Sequence, residues 1–193
     1  ANPMLGLRGV RLGILIPELY KMQVRALVYA YLEVKKLGHD PKPEVMIPLV
    51  ATQRELLHLR ETLEAEIKRA FKGTGVDVEF PIGTMIETPR AAITATRLAD
   101  YADFFSFGTN DLTQFLFAAD RADPRLAERY DWLSPAILRF IRRVVKATQL
   151  GDLVDADGGN AQFPAAILPA FLQESWPVVG QCQGAGQWGG GAH

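Results

Sequence analysis

Hydrophobic and polar positions along the chain alternate between short apolar runs and longer stretches with apolar residues at helical spacing. The short runs predict buried strands at residues 44–50, 82–87 and 103–107. The longer stretches predict helices at residues 16–37, 53–72, 90–101, 112–119 and 135–146. Because a helical segment lies between consecutive strands, we expect the strands to be parallel and adjacent, and the fold class to be α/β.

Polar residues follow two of the predicted strands at the point where each strand ends. Glu87 closes the second strand, and Asp111 lies just past the third, after Gly108, Thr109 and Asn110. Parallel α/β folds bind their ligands at the carboxyl ends of the strands. Two carboxylates there suit Mg²⁺, whose remaining ligands are usually water and a phosphorylated substrate. The alternative is that Glu87 and Asp111 only cap helices and turns, and on spacing alone caps are the commoner outcome.

The amino-terminal stretch, residues 2–15, is punctuated by glycine and is predicted to be a loop. It carries Arg8 and Arg11. Arginine is the usual side chain for two-pronged contact with phosphate or carboxylate, so this loop is a second candidate for ligand binding. The alternative is that both arginines make surface ion pairs.

Composition limits the classes of function. The 193 residues are 48% hydrophobic and 22% charged, which is typical of one globular domain, although a complete (β/α)₈ barrel needs about 250 residues. The net charge of −1 gives no reason to expect binding to nucleic acid or a membrane. The single cysteine cannot form an internal disulfide, and with no evident signal peptide we expect a cytoplasmic protein.

Several long motifs carry a family resemblance. GTMIETPRAA and FFSFGTNDLTQ resemble the barrel domain of the phosphoenolpyruvate-utilising enzymes. NPMLGLRGVRLG and PELYKMQVRA are most similar to the pyruvate phosphate dikinase branch of that family, whereas AADRADPRLAERYDWLSPAILRFIRRVV is closer to enzyme I of the sugar phosphotransferase system. The resemblance covers roughly residues 1–148.

The resemblance implies a fold and a division of the chain. We expect residues 1–150 to be a partial (β/α)₈ TIM barrel that binds phosphoenolpyruvate or pyruvate, with four or five βα units and parallel strands. We expect residues 151–193 to be an irregular or disordered tail, because this stretch does not match the family and ends in glycine-rich sequence.

The resemblance also implies roles for the candidate residues. Mg²⁺ held by Glu87 and Asp111 would bridge the carboxylate and phosphate of the substrate. The arginines Arg8 and Arg121 would neutralise the phosphoryl oxygens, and the loop formed by Gly108, Thr109 and Asn110 would complete the binding site, with Asn110 hydrogen-bonded to the substrate. For Arg121 the alternative is an ion pair with Asp120 or Asp123.

Catalytic groups of the family are missing from this sequence. The family's reaction transfers a phosphoryl group between phosphoenolpyruvate and a histidine on a swivelling domain, and we expect that domain to belong to a parent or partner chain. Cys182 lacks the sequence context of the family's cysteine acid, so we expect it to be an incidental thiol. We therefore assign no catalytic residue, and we expect a truncated or frame-altered part of a longer protein with little turnover of its own.

Three interpretations remain open. The chain is part of a dikinase or of phosphoenolpyruvate synthase, or it is the same domain of enzyme I, whose partner would be a small phosphocarrier protein. The third interpretation is an inactive fragment or an oligomerisation module, because exposed edges of a partial barrel favour association into homo-oligomers.

Overall fold

The computed structural model describes residues 2–131 and 133–148. The predicted domain boundary at residue 150, the predicted irregular tail and Cys182 lie outside these residues. Within them, no helix is both long enough and apolar enough to cross a membrane.

Among the described residues the sheet has three parallel strands in the order β1-β2-β3. The strands are β1 (Val45–Ile47), β2 (Ile82–Ile86) and β3 (Phe105–Phe107). Thr84 pairs with Ile47 on one side and Phe105 on the other, and Ile86 pairs with Phe107. Because each strand lies beside its neighbour in sequence, the sheet is one arc of a (β/α) barrel. The α/β class with parallel strands is confirmed, although the described part holds fewer strands than the four or five units expected.

Helices separate and flank the strands. They are α1 (Val10–Leu15), α2 (Pro17–Lys36), α3 (Gln53–Phe71), α4 (Pro89–Ile93), α5 (Ala95–Ala99), α6 (Thr109–Phe117) and α7 (Pro135–Thr148). Short 3₁₀ turns lie at Pro3–Leu5 and Pro124–Arg129.

The two long helices begin and pack as their sequences dictate. Pro17 lies in the first turn of α2, where its missing N–H has no helical partner to lose. Thr52 caps α3 through a reciprocal capping box with Glu55. The apolar stripe of α3 is buried, and it consists of Leu56, Leu59, Leu63 and Ile67. The buried Glu66 joins α3 to α2 through Arg25, at 2.8 Å.

The prediction of a loop over residues 2–15 is wrong, because the second half of this stretch forms α1. Gly9, with φ of +54°, lies so close to the end of β1 that an added Cβ would be 2.8 Å from the carbonyl oxygen of Pro48. The N–H of Val10 donates to that same oxygen at 2.9 Å. A tertiary contact with the residue after β1 thus starts a helix that the local glycine pattern argues against.

The single helix predicted over residues 90–101 is also wrong in detail. The structure has two short helices, α4 and α5, that meet at Thr94, whose φ is −107° and ψ is 20°. The Thr94 hydroxyl donates to the carbonyl oxygen of Arg90 at 2.9 Å. This local bond competes with regular helix geometry, which is a known effect of threonine inside helices.

Candidate functional site

Glu87 and Gly108 lie side by side at the carboxyl ends of β2 and β3. The N–H of Gly108 donates to the carbonyl oxygen of Ile86 at 3.2 Å, so the parallel pairing continues to this point. A Cβ added to Gly108 would lie 2.6 Å from Oε2 of Glu87 and 2.8 Å from Sδ of Met85. The missing side chain therefore gives the Glu87 carboxylate the space to lie across the end of the neighbouring strand.

The Glu87 carboxylate is buried, with 2% of the residue exposed. Burial is the main reason that the pKa of Glu87 rises to about 8, and a hydrogen bond with the Asp111 carboxyl raises it further. The Leu49 N–H, which donates to Oε1 at 2.5 Å, and the charge of Arg8 act in the opposite direction. Burial and the neighbouring Asp111 thus disfavour a lone charge on Glu87, and a cation bound between the two side chains would offset that cost.

Leu49 is a part of the site that sequence reasoning missed. This buried residue follows β1 and has φ of +60°, which is unusual for a residue with a branched side chain. The conformation directs its N–H to Glu87. The only sequence signal was Pro48 at the end of the apolar run, which marks a chain that leaves the strand there.

Asp111 lies in the first turn of α6, where a carboxylate is stabilised by the helix dipole. Its Oδ1 pairs with Nη1 of Arg121 at 2.9 Å. The alternative partners proposed for Arg121 are not the ones it takes, and Asp123 instead pairs with Arg125 at 2.6 Å. Arg121 is thereby held beside the two carboxylates.

The two arginines of the amino-terminal stretch differ in their surroundings. Arg8 is exposed, and its Nη1 lies 2.8 Å from Sδ of the buried Met4. Arg11 donates to the carbonyl oxygens of Met4, at 3.1 Å, and Gly6, at 2.9 Å. Arg11 therefore holds the turn together, whereas Arg8 uses Nη1 for Met4 and has Nε and Nη2 available for a ligand.

A cavity of about 260 Å³ gathers most of the predicted site residues. The predicted residues that line it are Arg8, Glu87, Gly108, Asn110, Asp111 and Arg121. Thr109 is not in this lining, since it is buried and its carbonyl oxygen accepts from the Thr113 hydroxyl at 2.7 Å. Tyr20 also lines the cavity and was missed; burial raises the pKa of its hydroxyl, which donates to Gly9.

A larger cavity, about 720 Å³, lies between the carboxyl-terminal half of α3 and residues 76–81. It shares no lining residue with the smaller cavity. Arg60 in its wall is committed to the carbonyl oxygen of Tyr101 and to Asp103, at 3.1 Å each. We place the candidate site at the smaller cavity, because there, and not at the larger one, two carboxylates and two arginines lie at the carboxyl ends of the strands.

The carboxylates of Glu87 and Asp111 suit a hard cation that takes only some of its ligands from the protein. Leu49 occupies one oxygen of Glu87 and Arg121 one oxygen of Asp111, which leaves the second oxygen of each for a cation. In residues 2–131 and 133–148, no group of three or more His, Cys, Asp or Glu side chains could hold a metal. Two protein carboxylates with water and a phosphorylated ligand are nevertheless a usual set for Mg²⁺.

Comparison with known proteins assigns the family. The model of the PEP-utilising enzyme, PEP-binding domain family matches residues 1–168. The chain belongs to this family of phosphoenolpyruvate-binding domains, as the sequence motifs predicted.

Within this family, the chain is similar in sequence to pyruvate, phosphate dikinases. The chain is 50% identical over 123 residues to pyruvate, phosphate dikinase of Clostridium symbiosum, a match that covers 63% of this chain and 14% of the relative. It is 50% identical over 122 residues to the chloroplastic enzyme of Flaveria trinervia, covering 63% and 13%. The chain thus spans about one seventh of the length of these relatives. A citrate lyase structure from Burkholderia xenovorans matches with a TM-score of 0.48 and 20% identity, covering 67% of this chain and 37% of that one.

Proposed function

We propose that this chain is the phosphoenolpyruvate- and pyruvate-binding portion of a phosphotransferase similar to pyruvate phosphate dikinase. The observation that carries the proposal is the meeting of Glu87, Asp111, Arg8 and Arg121 around one cavity at the carboxyl ends of the strands. The dikinases to which the chain is about half identical support this choice over the other members of the family.

Each residue of the site has a distinct task in this proposal. Glu87 and Asp111 would hold Mg²⁺, and the ion would supply positive charge for the anionic substrate. Arg8 and Arg121 face the phosphoryl oxygens, where guanidinium groups make strong, directional hydrogen bonds. Asn110, which lines the cavity and is exposed, donates its side-chain amide to the substrate. These contacts act by positioning and charge neutralisation.

The phosphoryl acceptor lies outside this chain's site. We propose a histidine on another domain, in a parent or partner chain, that takes the phosphoryl group as its bond to the enol oxygen of phosphoenolpyruvate breaks. The chain's own residues then bind the substrate and stabilise the charge that shifts between phosphoryl and enolate oxygens. Turnover accordingly requires addition of that domain.

Calorimetric titration of phosphoenolpyruvate into the full chain, with and without Mg²⁺, tests the proposal. We expect binding that depends on Mg²⁺ and that Glu87→Gln weakens by about tenfold or more, since one ligand of the cation loses its charge. Gln23→Glu, an exposed change on α2, is the control and should bind as the unmodified chain does. Absence of binding by a chain whose circular dichroism shows it to be folded would refute the proposal.

A further inference from the structure

Gln114 joins the two segments that carry the arginines of the site. It lies in α6 and is 5% exposed. Its Oε1 accepts from the backbone N–H of Arg121 at 3.2 Å. Its Nε2 donates to Oδ1 of Asn2 at 3.3 Å, across 112 positions of sequence. One amide thus contacts both the amino-terminal segment and the segment that carries Arg121, although Gln114 itself does not line the cavity.

On the Arg121 side, Gln114 holds the turn after α6. Its backbone carbonyl accepts from the N–H groups of Ala118 and Ala119, the latter at 3.2 Å. Ala118 has φ of +50°, so the chain reverses sharply there. The side chain of Gln114 then accepts from Arg121, the last step of the turn. Gln114 thus contacts the turn at both ends, through its backbone carbonyl near Ala118 and through its side chain at the N–H of Arg121.

On the Arg8 side, the contact continues through the amino-terminal turn. Oδ1 of Asn2 also accepts from the N–H of Met4 at 2.9 Å. Met4 is 1% exposed, and its sulfur lies 2.8 Å from Nη1 of Arg8. A continuous series of contacts therefore runs from Arg121 through Gln114, Asn2 and Met4 to Arg8.

We propose that Gln114 is a positioning residue that fixes the separation of Arg8 and Arg121, and so matches the site to a phosphate group. The phosphate ligand in this inference rests on the proposed function. The fixed separation of Arg8 and Arg121 does not depend on it. A primary amide is required, because Gln114 uses one acceptor and one donor in opposite directions. Leucine offers neither group, and glutamate keeps the acceptor but places an anion against the oxygen of Asn2.

The separation of the two segments is measured by spin labels in the full chain. Labels are attached to Leu7→Cys and Ala122→Cys, two exposed positions next to the arginines, in a Cys182→Ser background. Electron-spin distance measurement should give a narrow distribution for the parent. We expect Gln114→Leu and Gln114→Glu to broaden or lengthen it, while Gln23→Leu, at an exposed glutamine of α2, leaves it unchanged. An unchanged distribution in both Gln114 variants would overturn the inference, whether or not the chain binds phosphoenolpyruvate.

Binding measurements separate positioning from general damage. We expect Gln114→Leu to weaken phosphoenolpyruvate binding about tenfold in the presence of Mg²⁺, and to change Mg²⁺ affinity measured without phosphoenolpyruvate by no more than about twofold. Equal losses in both affinities would contradict a positioning role. If the parent fails to bind phosphoenolpyruvate while the label distances respond to Gln114, the proposed function fails and the positioning role stands.

Discussion

At the scale of single residues, Gly108 is the position where an added methyl group would meet a side chain of the candidate site. A Cβ there would overlap Oε2 of Glu87 at 2.6 Å, so the Glu87 side chain would have to shift. The conformation of Gly108, with φ of −85°, suits any residue, which means that space alone demands glycine. The need for space at Gly108 can be tested by comparing its alanine variant with an alanine variant of a glycine that has a positive φ and open surroundings.

We predict that Gly108→Ala abolishes metal-dependent phosphoenolpyruvate binding and costs about 1–3 kcal/mol of stability, the usual cost of overpacking. Gly73→Ala is the matched control: Gly73 has φ of +83° and open space around it, so alanine should cost about 1–2 kcal/mol and leave binding intact. Urea unfolding and calorimetry measure the two effects. Unimpaired binding by the Gly108 variant would show that the position of the Glu87 carboxylate does not matter.

The raised pKa of Glu87 predicts how stability depends on pH in the absence of metal. The unfolded chain loses this proton near pH 4.5, whereas the folded chain keeps it until about pH 8. Between these values the folded state holds more protons, so the contribution of Glu87 lowers the free energy of unfolding as pH rises, by at most about 1.4 kcal/mol per pH unit.

The difference between the parent and Glu87→Gln isolates that contribution. We expect urea unfolding from pH 5 to pH 8 to show the variant gaining stability relative to the parent as pH rises. A difference that does not change with pH would mean that Glu87 titrates normally in the folded protein.

At the scale of elements, the strands were predictable because buried parallel strands are continuous apolar runs. All three predicted runs contain the observed strands. The run at 44–50 yields a strand of only three residues, because Pro48 cannot donate to the ladder and its carbonyl instead accepts from Val10. That contact also starts α1, and no local pattern in residues 2–15 predicts the helix.

The start of α3 gives a prediction at this scale. The Thr52 hydroxyl accepts from the N–H of Glu55 at 3.3 Å, and the Glu55 carboxylate accepts from the N–H of Thr52 at 2.8 Å. We expect Thr52→Ala to lower the free energy of unfolding by about 1 kcal/mol, the usual cost of losing a cap. Thr62→Ala, the same change at a half-buried position inside α3, should be neutral or stabilising, because alanine favours helix interiors. Chemical denaturation measures the free energy of unfolding of both variants. Equal losses of stability would contradict a stabilising role for the Thr52 cap.

The candidate site was predictable only in part. The closeness of Glu87 and Asp111 follows from the rule that parallel strands end at one edge, and both side chains line the same cavity in the structure. Leu49 and Gln114 could not be found in this way. Leu49 acts through a backbone N–H in a rare conformation, and Gln114 acts through a contact 112 residues distant. The binding roles of Arg8, Thr109 and the other site residues stay predictions.

At the scale of the whole molecule, the described part of the chain holds three parallel strands, and the candidate site lies at their carboxyl ends. The described sheet has β1 and β3 at its edges. Association through such edges into a homo-oligomer, the boundary at residue 150 and a cytoplasmic location all stay predictions. The family match extends through residue 168, so it continues past the described residues.

The most direct test of the central claim is whether a metal ion and the phosphate of phosphoenolpyruvate occupy the same site. Mn²⁺ can replace Mg²⁺, and its unpaired electrons speed the phosphorus-31 relaxation of any phosphate bound beside it. We predict strong relaxation of phosphoenolpyruvate phosphorus by Mn²⁺ in the presence of the full chain, reduced to the protein-free level by Asp111→Asn. Equal relaxation with the parent and the variant would contradict the claim that these carboxylates hold the metal against the substrate.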